Sequence, residues 1–413
     1  MIIDNENRAT GNAPSSTGGN VPKLRFGEFA DEWNKLQVVE CCDVSTGNKD
    51  TQNKVDNGRY PFFVRSDKVE RIDSFSFDGE AVLTSGDGVG VGKNFHYING
   101  KFDFHQRVYC LNNFIGTDGR FFFAFFSRNF FKRVMRLSAK NSVDSVRKDM
   151  ITKMDFWRPS LSEQQKIASF LSKVDEKISL LSEKKDKLTE YKKGVMQQLF
   201  NGQWKVDNGQ LTFIPPTLRF KADDGSDFPD WEAVTVEKVA KLGKGFTPST
   251  HVPQNWDGGI PWLSIADLNQ FNRTGVTTRT LSVEGTGGKA MVKAGTLLMS
   301  FKLTLGRLVI LEHDAYTNEA ICHFNWIDDR VDTKFAYYFL SSINISSFGS
   351  QAAKGITLNN DSLYSIVLKL PSKVEQSKIA SFLSAIDQKI ELANSELEKA
   401  KEWKKGLLQQ MFV

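Results

Sequence analysis

Two stretches of 41 residues in this chain are near-copies of each other, so any fold assigned to it must contain the same element twice. Residues 160–200, SLSEQQKIASFLSKVDEKISLLSEKKDKLTEYKKGVMQQLF, align without a gap to residues 372–412, SKVEQSKIASFLSAIDQKIELANSELEKAKEWKKGLLQQMF, with 22 of 41 positions identical at an offset of 212. A shorter match precedes each copy. PKLRF at 22–26 echoes PTLRF at 216–220 at an offset of 194, and each is followed by an acidic stretch and a tryptophan, Trp33 and Trp231. The chain is therefore two copies of one unit, each a variable globular part followed by a similar segment. The offsets differ by 18, so the second globular part is longer by that many residues.

The repeated segment has the period of a helix. Ile167, Leu171, Val174, Ile178, Leu181 and Leu188 in the first copy follow the alternating four-three spacing of a heptad seam. Ile379, Leu383, Ile386, Ile390, Leu397 and Leu407 do the same in the second. Pro159 and Pro371 lie where each helix is expected to begin, with Glu163 and Glu375 in the favourable first turns. Each helix should run about 57 Å at 1.5 Å per residue. An amphipathic stripe can pack on its own globular domain, but a seam of about five heptads with Lys and Glu elsewhere favours pairing of the two copies. Near-identical helices in one chain can pair antiparallel with approximate twofold symmetry. The expected fold is α+β: two mixed α/β domains at 22–158 and 216–371, separated by long helices at 159–200 and 372–413 that form an antiparallel coiled coil. Residues 1–21 read as a flexible lead-in and 201–215 as a linker rich in turn formers.

The globular parts read as strands and helices. EAVLTS, SGDG, VGVGKNFHYI, Asn99-Gly100 and KFDFHQRVYCL make a run of strands with two turn signals, Asn-Gly being a hairpin marker. The period-two Gly-Val-Gly-Val-Gly has the rhythm of a strand. FFFAFFSRNFFKRVMRL at 121–137 and KFAYYFLSSINISSF at 334–348 occupy the same place in each unit and suit helices whose aromatic faces pack into a core.

Catalytic signatures are missing. In TSGDGVGVGKNFHY, a phosphate-cradling G-x-x-x-x-G-K-[ST] loop would need glycine at Asp87 and a hydroxyl at Asn94, and each frame of G-x-G-x-x-G also fails, at Val91, Lys93 or Phe95. The Asp87 carboxylate would repel a phosphate. Cys41, Cys42, Cys110 and Cys322 form no C-x-x-C pair and the five histidines no H-E-x-x-H, so no metal site is expected. The Asn/Asp-Pro-Pro-aromatic element of an adenine methyltransferase is missing too. No apolar run approaches a membrane span, and a cytoplasmic protein is expected. The net charge of +5 is unevenly placed: residues 22–158 carry 22 Lys and Arg against 18 Asp and Glu, and 216–371 carry 15 against 16. Nucleic-acid binding would therefore rest on local charge.

The duplicated E-Q-x-K-I-A-S-F-L-S…D-x-K-I…K-K-G…Q-Q-x-F segment, each copy behind a divergent domain ending near a proline, resembles the DNA specificity subunits of type I restriction-modification systems. The resemblance covers almost everything from about residue 22 onward. It implies target recognition domains that each read half of a bipartite double-stranded DNA site, and a coiled coil that spaces the half-sites and docks two methyltransferase subunits. It also implies a chain that catalyses nothing and binds no cofactor. S-adenosylmethionine, ATP and magnesium belong to the modification and restriction/translocase partners. DNA contacts are expected in loops at matching places of the two units: Lys49, Arg65, Lys93, Lys140, Asn141 and Arg147 in the first, and Lys244, Lys302, Arg307, Lys354, Thr357 and Asn359 in the second, with Asn269 a further candidate. Basic side chains suit phosphate or guanine, and amides suit adenine. The alternatives are a two-ended scaffold that binds no DNA, and a nucleotide hydrolase using the glycine loop.

Overall fold

The computed structural model describes residues 21–137, 145–207, 210–302, 304–352 and 355–413. The chain divides into two compact units, the first ending at Ser182 and completed by Ser395–Val413, the second Glu183–Asn394. Each division falls inside a long helix. No helix among the described residues is long and apolar enough to cross a membrane.

The first unit contains strands β1 (Asn34–Gln37), β2 (Asp43–Thr46), β3 (Tyr60–Phe63), β4 (Glu70–Ile72), β5 (Phe77–Ser85), β6 (Phe95–Phe104) and β7 (Val108–Asn112). Helices α1 (Gly119–Leu137) and α2 (Lys148–Thr152), strand β8 (Asp155–Arg158) and the first half of α3 (Leu161–Phe200) complete it. Six strands form one sheet in the order β2-β7-β5-β6-β3-β4, and β1 pairs with β8. Asn99-Gly100, expected as a hairpin turn, lies inside β6. There Gly79 and Gly100 face each other in the ladder with φ of 148° and 142°. The beginnings of β6 and β7 both pair with the end of β5, at Phe95↔Thr84 and Val108↔Ser85, yet only residues 105–107 join the two strands. The ladder must therefore curl, and only glycine accepts the backbone where the two strands bend together.

The second unit opens with the second half of α3, followed by a hairpin, β9 (Gln203–Asp207) and β10 (Gln210–Ile214), in the segment expected as a linker; its Phe213 packs on Trp231. Then come β11 (Glu232–Thr235), α4 (Val236–Val239), β12 (Ala240–Lys244), β13 (Trp256–Leu263), α5 (Leu268–Thr274) and β14 (Arg279–Leu281). β15 (Leu297–Ser300), β16 (Leu308–Ile310), β17 (Tyr316–Thr317), β18 (Ile321–Trp326) and α6 (Thr333–Ser342) follow. β19 (Ser350–Ala352), β20 (Gly355–Thr357), α7 (Asn360–Tyr364), β21 (Val367–Leu370) and the first half of α8 (Lys373–Gln410) end it. Its main sheet runs β12-β18-β15-β16, the counterpart of β2-β7-β5-β6, and β11 pairs with β21 as β1 does with β8. The divergent middles thus share one topology.

The repeated segments explain why. In each unit a buried glutamate and glutamine in the first turn of a long helix tie the unit together. Glu163 accepts two bonds of 2.7 Å from Arg25 of PKLRF, and Glu375 accepts bonds of 3.0 and 2.7 Å from Arg219 of PTLRF. Gln164 donates to the carbonyl of Pro159 and accepts from the amide of Asp118; Gln376 donates to Pro371 and accepts from Asp332. Asp118 and Asp332 in turn cap α1 and α6 by accepting from the amides of Phe121 and Phe335, each at 2.9 Å. The short repeated motif is thus the clasp that holds each globular part on its helix. A capping carboxylate satisfies an orphan amide donor of a helix N-terminus.

Within each unit the two long-helix segments run antiparallel. In the first, Asp175 pairs with Lys404 and the Phe170 ring lies 6.1 Å from Trp403, while Phe412 packs 5.2 Å from Phe121 near the start of α3. In the second, Lys192 lies 2.6 Å from Asp387 and Phe200 packs 5.9 Å from Phe335. Each aromatic helix is therefore closed by the last phenylalanine of the other repeat. Ile167, Leu171, Val174, Ile379, Leu383, Ile386, Leu397 and Leu407 are buried, and Ile178, Leu181, Leu188 and Ile390 half-buried. The aromatic stripe of α1 is core, with Phe121, Phe122, Phe126 and Phe130 fully buried. All four cysteines are buried; burial pushes the thiols of Cys110 and Cys322 up to about 12, far from the range of a reactive thiolate.

Candidate nucleic-acid interface

In the first unit several loops meet at one rim of the curled sheet. The glycine-rich run is the loop joining β5 to β6, a turn and not the strand that its alternation suggests. Four of its amides are already engaged: Gly86 donates to Arg107 O at 2.8 Å, Val91 to Gly88 O at 3.2 Å, and Lys93 and Asn94 both to Gly90 O at 3.0 Å. Engaged amides cannot wrap a phosphate. Glycine is required at 92 for another reason. Its φ is 65°, and a Cβ there would lie 2.9 Å from the ring of Phe131 on α1. The loop is packed between the helix and the neighbouring loops, with Val91 in the core.

Those neighbours are the loop after β3, the crossing at 105–107 and residues 145–147. Asn94 and Ser85 both donate to Arg65 O, at 2.9 and 3.1 Å, and Val146 donates to Gly86 O at 2.7 Å. Asp87 faces two exposed arginines, 3.2 Å from Arg65 Nη1 and 3.7 Å from Arg107 Nε. His105 is buried beneath them with Asp50 at 3.8 Å, and burial, with the charge of Arg65, lowers the pKa of its imidazole below the ordinary range. Lys93 is exposed, its ammonium 5.8 Å from the Phe131 ring.

The second unit repeats the arrangement with other side chains. The loop between β15 and β16 is pinned by Arg307, whose Nη1 donates to Ile265 O at 2.9 Å, as Asn94 is to Arg65 O. Lys302, two residues beyond the end of β15, stands where Asp87 stands beyond β5. Glu319, two residues before β18, stands where Gln106 stands before β7. A hydrogen bond from Thr247, assisted by Lys302, holds Glu319 below the usual carboxylate range. Beside them a cleft of about 310 Å³ is lined by Lys244, Phe246, Lys289, Lys293, Tyr316 and His323. Trp256 and Trp262 form an edge-on pair 5.2 Å apart, with Arg279 3.6 Å over Trp256. His323 is buried, 2.6 Å from Thr317 Oγ1, and burial lowers its pKa to about 4.

Of the residues expected from sequence, the structure brings Arg65, Lys93 and the segment holding Arg147 to the first rim. Lys49 joins them through the 2.8 Å bond from the Gln106 amide to Lys49 O. Lys140, Asn141 and Lys354 lie outside the described residues. Arg147 is exposed and precedes α2, with its Nε 3.9 Å from Asp149. Lys244 ends β12 and Lys302 is exposed. Arg307 spends its guanidinium in part on the Ile265 carbonyl. Asn359 caps α7 by accepting from Ser362 N at 2.7 Å, Thr357 ends β20, and Asn269 is exposed on α5. Sequence reasoning passed over Arg107, Glu319 and Lys289. The signal for Arg107 was available: His-Gln-Arg sits between the alternating stretches KFDF and VYCL, at a chain reversal beside the glycine loop.

The family model described as type I restriction modification DNA specificity domain matches residues 30–190 and 229–402. The chain is similar to the type I restriction enzyme EcoDI specificity subunit of Escherichia coli, 22% identical over 382 residues that span 86% of this chain and 81% of that one. In fold it resembles the type I restriction-modification S subunit of M. genitalium, with a TM-score of 0.63 at 16% identity over 95% of this chain and 99% of that one. A second solved chain, from work on complex assembly and conformational transition of the type I restriction-modification system, has a TM-score of 0.54 at 13% identity, covering 92% of this chain and 97% of the other.

Proposed function

Because the chain belongs to the type I restriction-modification DNA specificity family, we propose that its two units are target recognition domains, each reading one half of a bipartite double-stranded DNA site. As the specificity subunit it is a non-catalytic member of a complex whose methyltransferase and restriction subunits carry the chemistry. The recognition domains are residues 22–158 and 216–371. The helices at 159–200 and 372–413 set the spacing of the half-sites and dock two methyltransferase subunits. S-adenosylmethionine is bound by those subunits, ATP and magnesium by the restriction/translocase subunits, and the complex works in the cytoplasm.

One observation supports this reading above the others: two sheets of equivalent strand order present loops at matching places with unlike side chains, Asp87 and Gln106 in one, Lys302 and Glu319 in the other. Divergent side chains on a common scaffold are what two readers of different base sequences require, since base-edge recognition changes with the donors and acceptors offered. Lys49, Arg65, Lys93, Lys140, Asn141 and Arg147 serve one half-site, and Lys244, Lys302, Arg307, Lys354, Thr357 and Asn359 the other. The test is exchange of residues 22–158 for those of a relative, followed by methylome sequencing of a host that also expresses the methyltransferase subunit. One methylated half-site should change and the other persist; change in both, or in neither, contradicts the reading.

A further inference from the structure

We propose that Asp87 is a specificity-determining positioning residue of the first unit, aiming Arg65 and Arg107 at base edges and withholding them from phosphates. The inference rests on the reading of this rim as a DNA interface. Arg65 and Arg107 come from different loops, and their side chains are 49% and 66% exposed. Two unrestrained guanidiniums on a surface bind any phosphate that approaches, which raises affinity without regard to sequence. Asp87 changes that. It is only 22% exposed, it faces both arginines, and its own position is fixed by the backbone bridge to Ser145 and by the Val146–Gly86 bond of 2.7 Å.

A guanidinium held by one nitrogen keeps its remaining donors for the O6 and N7 acceptors of guanine, which a bidentate fork fits. A phosphate drawn to the same place meets the carboxylate. The arrangement therefore penalises the wrong contact as well as favouring the right one, and discrimination between partners depends on both. The second unit has a lysine, Lys302, at the equivalent position and an acid, Glu319, across from it, so this device is a property of the first half-site alone.

The experiment uses the full chain in complex with its methyltransferase subunits and two duplexes, one carrying the methylated site found by methylome sequencing and one scrambled. Binding is measured by anisotropy at several salt concentrations. Asp87→Asn should tighten scrambled-duplex binding about three- to tenfold and steepen its log–log salt dependence by about 0.9, the value of one added phosphate contact. The ratio of site to scrambled affinity should fall about fivefold or more. Asp87→Glu, which keeps the charge, should regain most of that ratio. An Asp87→Asn variant that weakens both duplexes by the same factor, or changes neither, overturns the proposal. If Arg65→Ala and Arg107→Ala both leave binding and discrimination as in the wild type, the reading of the rim itself fails, a result that does not involve Asp87.

Discussion

The clasp between Arg219 and Glu375 offers a sharp test of what holds a recognition unit on its helix. Glu375 has a fully buried side chain, and Arg219 reaches it with bonds of 3.0 and 2.7 Å from a side chain 19% exposed. Replacing Arg219 with methionine keeps much of its apolar bulk but leaves a buried carboxylate without its counter-charge, which costs about 3–5 kcal/mol. That is a large part of the roughly 5–15 kcal/mol that holds an ordinary domain folded. At a urea slope of about 2–3 kcal/mol/M the midpoint should drop by about 1–2 M. The double variant Arg219→Met/Glu375→Leu removes both charges and should recover to within about 1 kcal/mol of the wild type. Arg25→Met in the first unit should cost less, because Trp33 Nε1 still donates to Glu163 at 3.4 Å, whereas the indole N–H of Trp231 is buried without a partner among the described residues. Urea unfolding of the full chain, with hydrogen exchange read separately in peptides around 163–180 and 375–390, assigns each loss to its unit. A double variant destabilised by the sum of its single variants would refute the reasoning, since it would mean that the pair does not couple.

Two further outcomes follow from the packing and the buried histidine. Phe412 is 6% exposed against Phe121, Trp33 and Phe125, and Phe412→Ala should destabilise the first unit by about 3 kcal/mol; exchange that rises only in the second unit would contradict the assignment. His323 has its pKa lowered by burial from 6.5 to about 4, so the unfolded chain takes up a proton near pH 6.5 that the folded unit refuses until about pH 4. The second unit should therefore lose up to about 3 kcal/mol as pH falls through that window and none of this contribution above it. The stability difference between wild type and His323→Gln should track that window in thermal melts, and a pH-independent difference would show that the ring is not held neutral.

Much of the site was legible in outline. The sequence places Lys49, Arg65, Lys93 and Arg147 in loops between regular elements, and the carboxylate of Asp87 reads as hostile to a phosphate. Its partners were not recognised, because Arg65 is 22 residues away and Arg107 20, and pairing at such distances depends on how the sheet curls. The curl also defeated the Asn99-Gly100 reading. Asn-Gly favours a hairpin when nothing faces it, but Gly79 opposite allows a continuous strand to bend.

From the sequence alone came the elements that depend on short-range regularity: two copies, two long helices, the apolar seam and the aromatic helices. Those signals lie in periods of a few residues, and the duplication makes each count twice. Tertiary structure decided which partner each element takes. Glu163 finds Arg25 across 138 residues, Phe412 closes on Trp33 of the first unit, and a loop with the composition of a phosphate cradle turns amides inward on its own carbonyls and on Arg107 O. A buried carboxylate or an unpaired amide will take a suitable partner wherever the chain brings one, and long-range approach leaves no local pattern to read.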